Sequence, residues 1–306
     1  MDDDEGVLDP WVAEWMEANP QRATPFDELI PELLELARGP WAEPPTRDFA
    51  EVVDDEVDGV PIRIYHHDGP VTGLVVYVHG GGYCIGSIGL MDNVAREIAF
   101  QSGANVVSVG YRLAPEHPYP EGLDDVERVT RWAHARASEL GATPSTVAVA
   151  GESAGGNLAA AVSLRLKAAG DLTLAGQVLL YPGVSGSVRF PSRDEFDGLI
   201  LNRKGTENFW AAYSAGRDLD DDPFAAPLSA PDLTSLPPAL VVLGGCDLLR
   251  DEGRAYAGRL RDAGVEVDEV CYAGQPHGFM NFGFPAATDA FEHTGRWLRG
   301  AFAARS

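Results

Sequence analysis

The chain has 306 residues, of which 45% are hydrophobic, a size that suits one large α/β domain or two small domains. Its formal net charge of −24 argues against a nucleic-acid partner and against electrostatic docking on anionic lipid, because both carry negative charge. The acidic start at residues 1–5 differs from a signal peptide, and no run of about eighteen apolar residues occurs, so we expect a cytoplasmic protein without membrane insertion.

The first segment, residues 1–47, is predicted to be helical and amphipathic. Its apolar positions include Trp11, Trp15 and Met16 on one face of a first helix, then Leu29, Leu33, Leu34 and Leu36 in a second. Proline-rich stretches at 20–25 and 40–45 bracket the second helix. We expect this segment to form part of a cap.

Residues 48–185 and 228–306 are predicted to form the two parts of one α/β core. Eight β-rich runs occur at 49–53, 60–65, 74–78, 105–109, 147–150, 177–181, 239–243 and 267–272. Helical segments at 94–102, 123–137, 157–169 and 252–263 separate most of the later runs, and a last helix follows at 288–304. This alternation predicts a mainly parallel eight-stranded sheet flanked by helices, with the first two runs as an antiparallel hairpin at one edge.

Residues 186–227 interrupt this alternation and are predicted to be an inserted cap segment. They contain no convincing strand, but an aromatic helical stretch lies at 209–213. An interruption of roughly forty residues is longer than most loops of compact domains. Together with the amino-terminal helices, the insertion would cover the carboxyl ends of the strands, where ligands bind in open α/β sheets.

Ser153 lies in the sequence Gly-Glu-Ser-Ala-Gly-Gly at 151–156, directly after an apolar run. A serine with glycines two positions before and after it, between a strand and a helix, is typical of a hydrolase nucleophile. The strained turn leaves no room for bulky neighbours and exposes the hydroxyl at a helix N-terminus. An ordinary tight turn is the alternative for this stretch alone.

Donors for a developing oxyanion are predicted in the sequence His-Gly-Gly-Gly at 79–82, which follows the third run. Consecutive glycines let bare backbone approach a ligand. Two amides of this loop and the amide of Ala154 would hold a carbonyl oxygen as it becomes anionic. A flexible turn and a phosphate-binding loop are the alternatives, but no lysine and serine or threonine follow in the spacing of a phosphate-binding loop.

His277 is the predicted base among seven histidines, because it follows the last strand on a glycine-containing loop. The other six fall in polar turns, rigid loops or helices. Asp247 is the predicted orienting carboxylate, since it follows the preceding strand, whereas Asp251 and Glu252 suit the first turn of the next helix. The base has to be neutral, so activity is expected to rise across the ordinary histidine pKa of about 6.5.

The order Ser153, Asp247, His277 is that of the α/β-hydrolase fold. The sequence resembles the hormone-sensitive-lipase family of esterases, also called bacterial family IV, in the stretches 79–82, 111–118, 151–156, 247–253 and 277–279. The resemblance implies Gly81, Gly82 and Ala154 as oxyanion donors, a helical cap, and short to medium acyl chains. Glu152 departs from the family, which commonly has Asp or Thr there.

These observations predict a serine carboxylesterase that acts through an acyl-enzyme and needs no cofactor or metal. The aromatic residues expected near the substrate are Tyr83, Tyr181, Phe209, Trp210 and Phe279. The partner is a small-molecule ester, and a homodimer is compatible with the sequence. An amidase or arylformamidase with the same three residues stays open, because C–O and C–N cleavage pass through the same oxyanion. A ligand-binding pseudoenzyme is the more distant alternative.

Two further signals have ordinary interpretations. The acidic stretch Asp218, Asp220, Asp221 and Asp222 lacks the glycine and terminal glutamate of an EF-hand, which favours a solvated loop over a calcium site. Cys84 has no histidine or helix N-terminus adjacent in sequence and is expected to be a packed thiol. With Cys246 and Cys271 it forms an odd set without paired metal-ligand spacing.

Overall fold

An eight-stranded sheet forms the centre of the computed structural model, which describes residues 5–20, 28–29, 31–39 and 44–305. The strands are β1 (Glu51–Val57), β2 (Val60–His66), β3 (Leu74–Val78), β4 (Asn105–Val109), β5 (Val147–Glu152), β6 (Gln177–Leu180), β7 (Ala239–Cys246) and β8 (Val267–Pro276). Their order across the sheet is β1-β2-β4-β3-β5-β6-β7-β8. Strands β3 to β8 run parallel to one another, whereas β2 is antiparallel to both β1 and β4.

The predicted edge hairpin is confirmed by the pairing of β1 with β2. Asp58 and Gly59 connect the two strands with φ of 49° and 83°. Positive φ at both residues is what a two-residue hairpin turn requires, and Asp-Gly is a preferred pair for it.

Helices cover both faces of the sheet. In the described residues they are α1 (Pro10–Ala18), α2 (Pro31–Ala37), α3 (Asp92–Ser102), α4 (Glu121–Ala135), α5 (Ala154–Ala169), α6 (Ser192–Glu195), α7 (Arg203–Ser214), α8 (Arg250–Asp262) and α9 (Pro285–Ala303). Apolar side chains of α4, α5 and α8 pack on one face and those of α3 and α9 on the other. Because both faces are covered, the side chains of β3 to β7 are buried along their whole length, and the predicted fold class is confirmed.

Several predicted bounds are wrong by a few residues. Strand β1, predicted at 49–53, begins at Glu51 and continues through the acidic residues 54–56, which lie exposed on the edge strand and pair through their backbone with β2. An edge strand needs no apolar alternation on its solvent side, so hydropathy underestimates its length. Helix α5 was expected from 157 but begins at Ala154, because small residues allow it to start directly at the turn.

The amino-terminal helices pack against different parts of the molecule. Leu34 of α2 lies in one apolar cluster with Cys84, Ala114 and Phe209 of α7. Helix α1 instead lies near the end of β8, where the Asp9 amide donates to the Gly274 carbonyl at 3.1 Å. Much of the predicted proline-rich stretches, at 21–25 and 40–43, lies outside the described residues. Within the part of the chain that is described, no helix has the length and apolar character needed to cross a membrane.

Candidate active site

Ser153 sits at the sharp turn between β5 and α5 with φ of 53° and ψ of −118°, a conformation that L-residues rarely adopt. The space around the turn explains its glycines. A Cβ on Gly151 would lie 2.1 Å from the carbonyl oxygen of Gly155, and one on Gly155 would lie 2.1 Å from that of Val78. The tight turn itself therefore requires glycine two positions before the serine, and the close approach of α5 to β3 requires glycine two positions after it.

The side chains of Ser153, His277 and Asp247 form one hydrogen-bonded chain. His277 Nε2 lies 2.8 Å from Ser153 Oγ, and His277 Nδ1 lies 2.8 Å from Asp247 Oδ2. The second oxygen of Asp247 accepts from the Leu249 amide at 2.8 Å, which fixes the carboxylate. Asp247 is 1% exposed, so its carboxylate faces the imidazole rather than water.

Gly81, Gly82 and Ala154 are the residues whose backbone amides are predicted to hold the oxyanion. Gly81 and Gly82 have φ of 114° and 58°, and a Cβ on Gly82 would lie 2.3 Å from the Phe209 ring. Only glycine therefore fits this loop beneath α7. Among the described residues no acceptor takes a hydrogen bond from the amides of Gly81, Gly82 or Ala154. With Ser153 they line one cavity.

His79 holds the start of the glycine loop. Its ring stacks on Tyr111 with centroids 4.4 Å apart, and its Nδ1 lies 2.7 Å from the Gly80 carbonyl oxygen. The Tyr111 hydroxyl donates to the His79 carbonyl at 3.0 Å. Burial lowers the pKa of His79. A neutral, fully packed imidazole suits a residue that supports the glycine loop.

Glu152 is a buried carboxylate directly before Ser153. Its Oε1 accepts from the Tyr77 hydroxyl at 2.7 Å and the Gly80 amide at 3.5 Å. Its Oε2 accepts from the Tyr181 hydroxyl and Asn281 Nδ2, both at 2.8 Å. Tyr181 in turn contacts the His277 ring edge-on, with centroids 5.3 Å apart. Glu152 departs from the family pattern in the sequence, but its four donors come from three separate parts of the chain and could not be identified from the sequence.

A cavity of about 260 Å³ opens at Ser153 and His277. Four of the five aromatic residues predicted for the substrate region line it, namely Tyr83, Tyr181, Phe209 and Trp210. Phe279 does not belong to the described lining. It is fully buried behind the wall, where its ring contacts Tyr181 and Tyr272 at centroid distances of 5.8 and 5.3 Å. Its position two residues after His277 suggested proximity, but Gly278, with φ of 69°, turns the chain into the core.

Sequence reasoning missed a charged pair in the same wall. Arg193 of α6 and Glu252 of α8 both line the cavity, with Arg193 Nη2 and Glu252 Oε2 2.7 Å apart. Glu252 was assigned only to the first turn of a helix, where it indeed lies. The sequence does place Arg193 in the insertion and Glu252 after β7, and both segments are expected at the carboxyl end of the sheet. No spacing in the sequence, however, indicates that these two residues pair.

The residues to which the sequence analysis gave no catalytic or metal-binding role have other environments. Asp251 accepts from the Ser192 amide at 3.0 Å rather than from His277. Burial raises the pKa of the Cys84 thiol to about 12, so the nucleophilic thiolate is disfavoured. In the acidic stretch, Asp220 accepts from the Ser187 amide at 2.9 Å and Asp222 from the Tyr119 hydroxyl at 2.8 Å.

A parallel sheet with an antiparallel edge, a serine on a strained strand–helix turn, and an aspartate and histidine on later strand ends define the serine α/β-hydrolase class. A family model described as alpha/beta hydrolase fold matches residues 75–281. The chain belongs to this family, and the resemblance drawn from its motifs is confirmed.

Named relatives agree with this assignment. The carboxylesterase NlhH of Mycobacterium tuberculosis is 42% identical over 254 residues, which cover 80% of this chain and 78% of that protein. An ethyl acetate hydrolase of Pseudomonas putida is 35% identical over 230 residues, covering 73% and 72%. The solved structure of a hyperthermophilic esterase from Pyrobaculum calidifontis superposes with a TM-score of 0.84 at 33% identity, covering 98% of this chain and 99% of that one.

Proposed function

We propose that the protein is a serine carboxylesterase that hydrolyses short to medium acyl esters through an acyl-enzyme. The observation that carries this proposal is the hydrogen-bonded series Ser153–His277–Asp247, with both hydrogen bonds at 2.8 Å. Ser153 and His277 lie in the wall of a largely apolar cavity. The relatives named above support ester hydrolysis as the reaction class.

Ser153 attacks the ester carbonyl carbon while His277 Nε2 takes the hydroxyl proton. Asp247 holds the imidazole through Nδ1 and stabilises the imidazolium that forms. The carbonyl oxygen becomes anionic and accepts from the amides of Gly81, Gly82 and Ala154. His277 then donates its proton to the leaving alcohol, and water repeats the sequence on the acyl-enzyme to release the acid.

The proposed chain length rests on the cavity and on the residues above it. A volume of about 260 Å³ suits a small ester better than a long acyl chain. Phe209 and Trp210 of α7 form part of its wall, and Leu34 of α2 packs with Phe209. We therefore propose that the amino-terminal segment and the insertion at 186–227 together form a cap that limits the acyl chain.

The test compares Ser153→Ala with Ser163→Ala on p-nitrophenyl esters of increasing length and on the matching anilides. Ser163 is a control on the same helix, since its hydroxyl bonds to the Ala159 carbonyl at 2.9 Å and does not line the cavity. We expect Ser153→Ala to lose at least about a thousandfold in kcat on the short esters, while Ser163→Ala retains activity. Faster turnover of the anilides would assign an amidase, and persistent activity in Ser153→Ala would reject the mechanism.

A further inference from the structure

Arg193 brings a guanidinium group from the insertion into the wall of the cavity. The residue is 6% exposed, and its Nε and Nη2 donate to Glu252 Oε2 at 3.0 and 2.7 Å. Nη2 also donates to the Ser185 hydroxyl and the Gly186 carbonyl, both at 3.2 Å. One edge of the guanidinium is therefore fully engaged by protein.

The other edge of the guanidinium has no hydrogen-bond partner in the described part of the chain. Among the described residues no acceptor takes a hydrogen bond from Arg193 Nη1. Nη1 does not belong to the fully buried polar atoms that lack a partner in the described part of the chain, so it is accessible from outside the protein. Arg193 lines both the cavity at Ser153 and a neighbouring one of about 400 Å³.

Tyr83 supplies a second polar group in the same cavity. Its side chain is 8% exposed, yet within the described residues its hydroxyl has no hydrogen-bond partner and is not enclosed. Its ring stacks on Tyr213 with centroids 3.8 Å apart, which fixes the direction of the hydroxyl. Burial raises the pKa of Tyr83 well above its ordinary value, with Glu252 adding to the rise and Arg193 opposing it, so the hydroxyl stays a donor within electrostatic reach of that pair.

The charge around these donors selects the kind of group they can hold. Glu252 is fully buried and compensates the charge of Arg193. The neighbouring cavity adds three carboxylates, those of Glu207, Asp218 and Asp220, against one further guanidinium, that of Arg217, so its lining carries an excess of negative charge. An anionic ligand group would be repelled there, whereas a neutral oxygen acceptor would gain hydrogen bonds without that cost.

We propose that the Tyr83 hydroxyl and Arg193 Nη1 form a polar subsite for a neutral oxygen of the substrate, such as an ether, hydroxyl or second carbonyl oxygen remote from the scissile ester. This inference rests on the proposed esterase function and narrows its substrate class to oxygenated esters. Both donors are buried and held by neighbours, so they lose little conformational freedom on binding.

The experiment uses isosteric ester pairs in which an ether oxygen replaces a methylene. On the acyl side the pair is p-nitrophenyl 4-methoxybutanoate and p-nitrophenyl hexanoate, and on the alcohol side 2-methoxyethyl butanoate and butyl butanoate. Dividing the ratio of kcat/KM within a pair by the ratio of the hydroxide-catalysed rates removes the inductive effect of the added oxygen, so the corrected ratio reports its recognition. We expect the wild type to favour the ether of at least one pair by about three- to tenfold, and to disfavour the anionic mono-p-nitrophenyl glutarate.

Two variants remove one donor each, and a third is the control. Tyr83→Phe removes only the hydroxyl and keeps the stacked ring. Arg193→Lys keeps a positive charge for Glu252 but has one nitrogen, which cannot serve both Glu252 and the cavity. Both are expected to bring the ether ratio close to one. Tyr213→Phe removes a neighbouring hydroxyl that is enclosed, lacks a described partner and does not line the cavity, so the ratio should not change.

Ratios near one for both pairs in the wild type, or an ether preference that survives in Tyr83→Phe, would overturn the subsite. Tyr83→Phe alone decides the case if Arg193→Lys does not fold. Undiminished turnover in Ser153→Ala would instead reject the esterase mechanism. The kcat/KM ratio within each pair still tests the subsite in that case, because its preference for the ether and the loss of that preference in Tyr83→Phe do not depend on which group is the nucleophile.

Discussion

Glu152 shows how one buried carboxylate connects the pieces of the site. Its donors come from β3 through Tyr77, from the end of β6 through Tyr181, and from the turn after β8 through Asn281. Each of these elements also carries or borders a residue of the proposed catalytic machinery. A carboxylate one methylene shorter cannot reach all the donors at once, so this arrangement of donors requires a glutamate rather than an aspartate.

Glu152→Asp is therefore expected to lower the free energy of unfolding by about 1–3 kcal/mol, because a buried hydroxyl loses its acceptor. Urea denaturation followed by fluorescence measures the change. In a Tyr77→Phe background one of those hydroxyls is already absent, so the cost of Glu152→Asp should be smaller than in the wild type. Equal costs in the two backgrounds would contradict the role assigned to this contact.

His79 couples folding to pH through its lowered pKa. Burial disfavours the imidazolium in the folded state, so the unfolded chain binds more protons below the unfolded histidine pKa of about 6.5. Stability from this residue is thus constant above that pH and is lost as the pH falls below it. Between pH 7.5 and 5.5 the wild type should therefore lose more of its free energy of unfolding than His79→Gln. Urea titrations at the two pH values measure these losses. If the wild type and His79→Gln lose the same free energy of unfolding, the linkage to His79 is refuted.

For single residues, the sequence predicts the functional side chains that follow strand ends and misses those that meet only because distant segments pack together. Ser153, Asp247 and His277 each follow a strand, so their meeting at one edge of the sheet follows from the topology. Arg193 and Glu252 meet only because α6 lies against the start of α8, which no spacing in the sequence encodes. Phe279 was misplaced for the converse reason, since a single glycine with positive φ reverses the direction of the next side chain.

The junction of β5 and α5 is the element on which the site depends. Gly155→Ala adds a side-chain carbon at this junction, and that Cβ would lie 2.1 Å from the Val78 carbonyl oxygen. We expect the free energy of unfolding to fall by about 1–3 kcal/mol, because backbone rather than a flexible side chain has to move. Gly258→Ala in α8 is the control, since its Cβ meets no atom within 4 Å, and alanine should stabilise that helix by roughly 0.5–1 kcal/mol. Thermal unfolding of both variants checks the opposite signs.

The elements themselves were predictable where burial dictates composition. Strands β3 and β4 have the predicted bounds, because strands covered on both faces are apolar from end to end. The strands β7 and β8 continue past their apolar runs to Cys246 and Pro276, where backbone pairing rather than hydropathy extends them. Helix α7 begins at Arg203, well before its aromatic stretch, because the Asn202 side chain accepts from the Gly205 amide and starts the helix.

The whole molecule carries 47 acidic and 23 basic side chains, so its acidic residues cannot all find a basic partner. Many arginines do pair with carboxylates at the surface, but such pairs contribute only about 0–1 kcal/mol each. The excess negative charge repels itself in the compact state. Salt weakens both effects, and the long-range repulsion is the larger of the two in a chain with a net charge of −24.

We therefore expect the melting temperature to rise as NaCl increases from about 10 mM to 150 mM, over which the Debye length falls from about 30 Å to 8 Å. The exposed acids of β1 provide a matched variant. Asp55→Asn with Glu56→Gln removes two negative charges from an edge strand whose backbone pairs only with β2 in the described residues. Because less repulsion remains to be screened, the variant should gain less from salt than the wild type. A melting temperature that falls with NaCl would show instead that surface ion pairs outweigh the net charge.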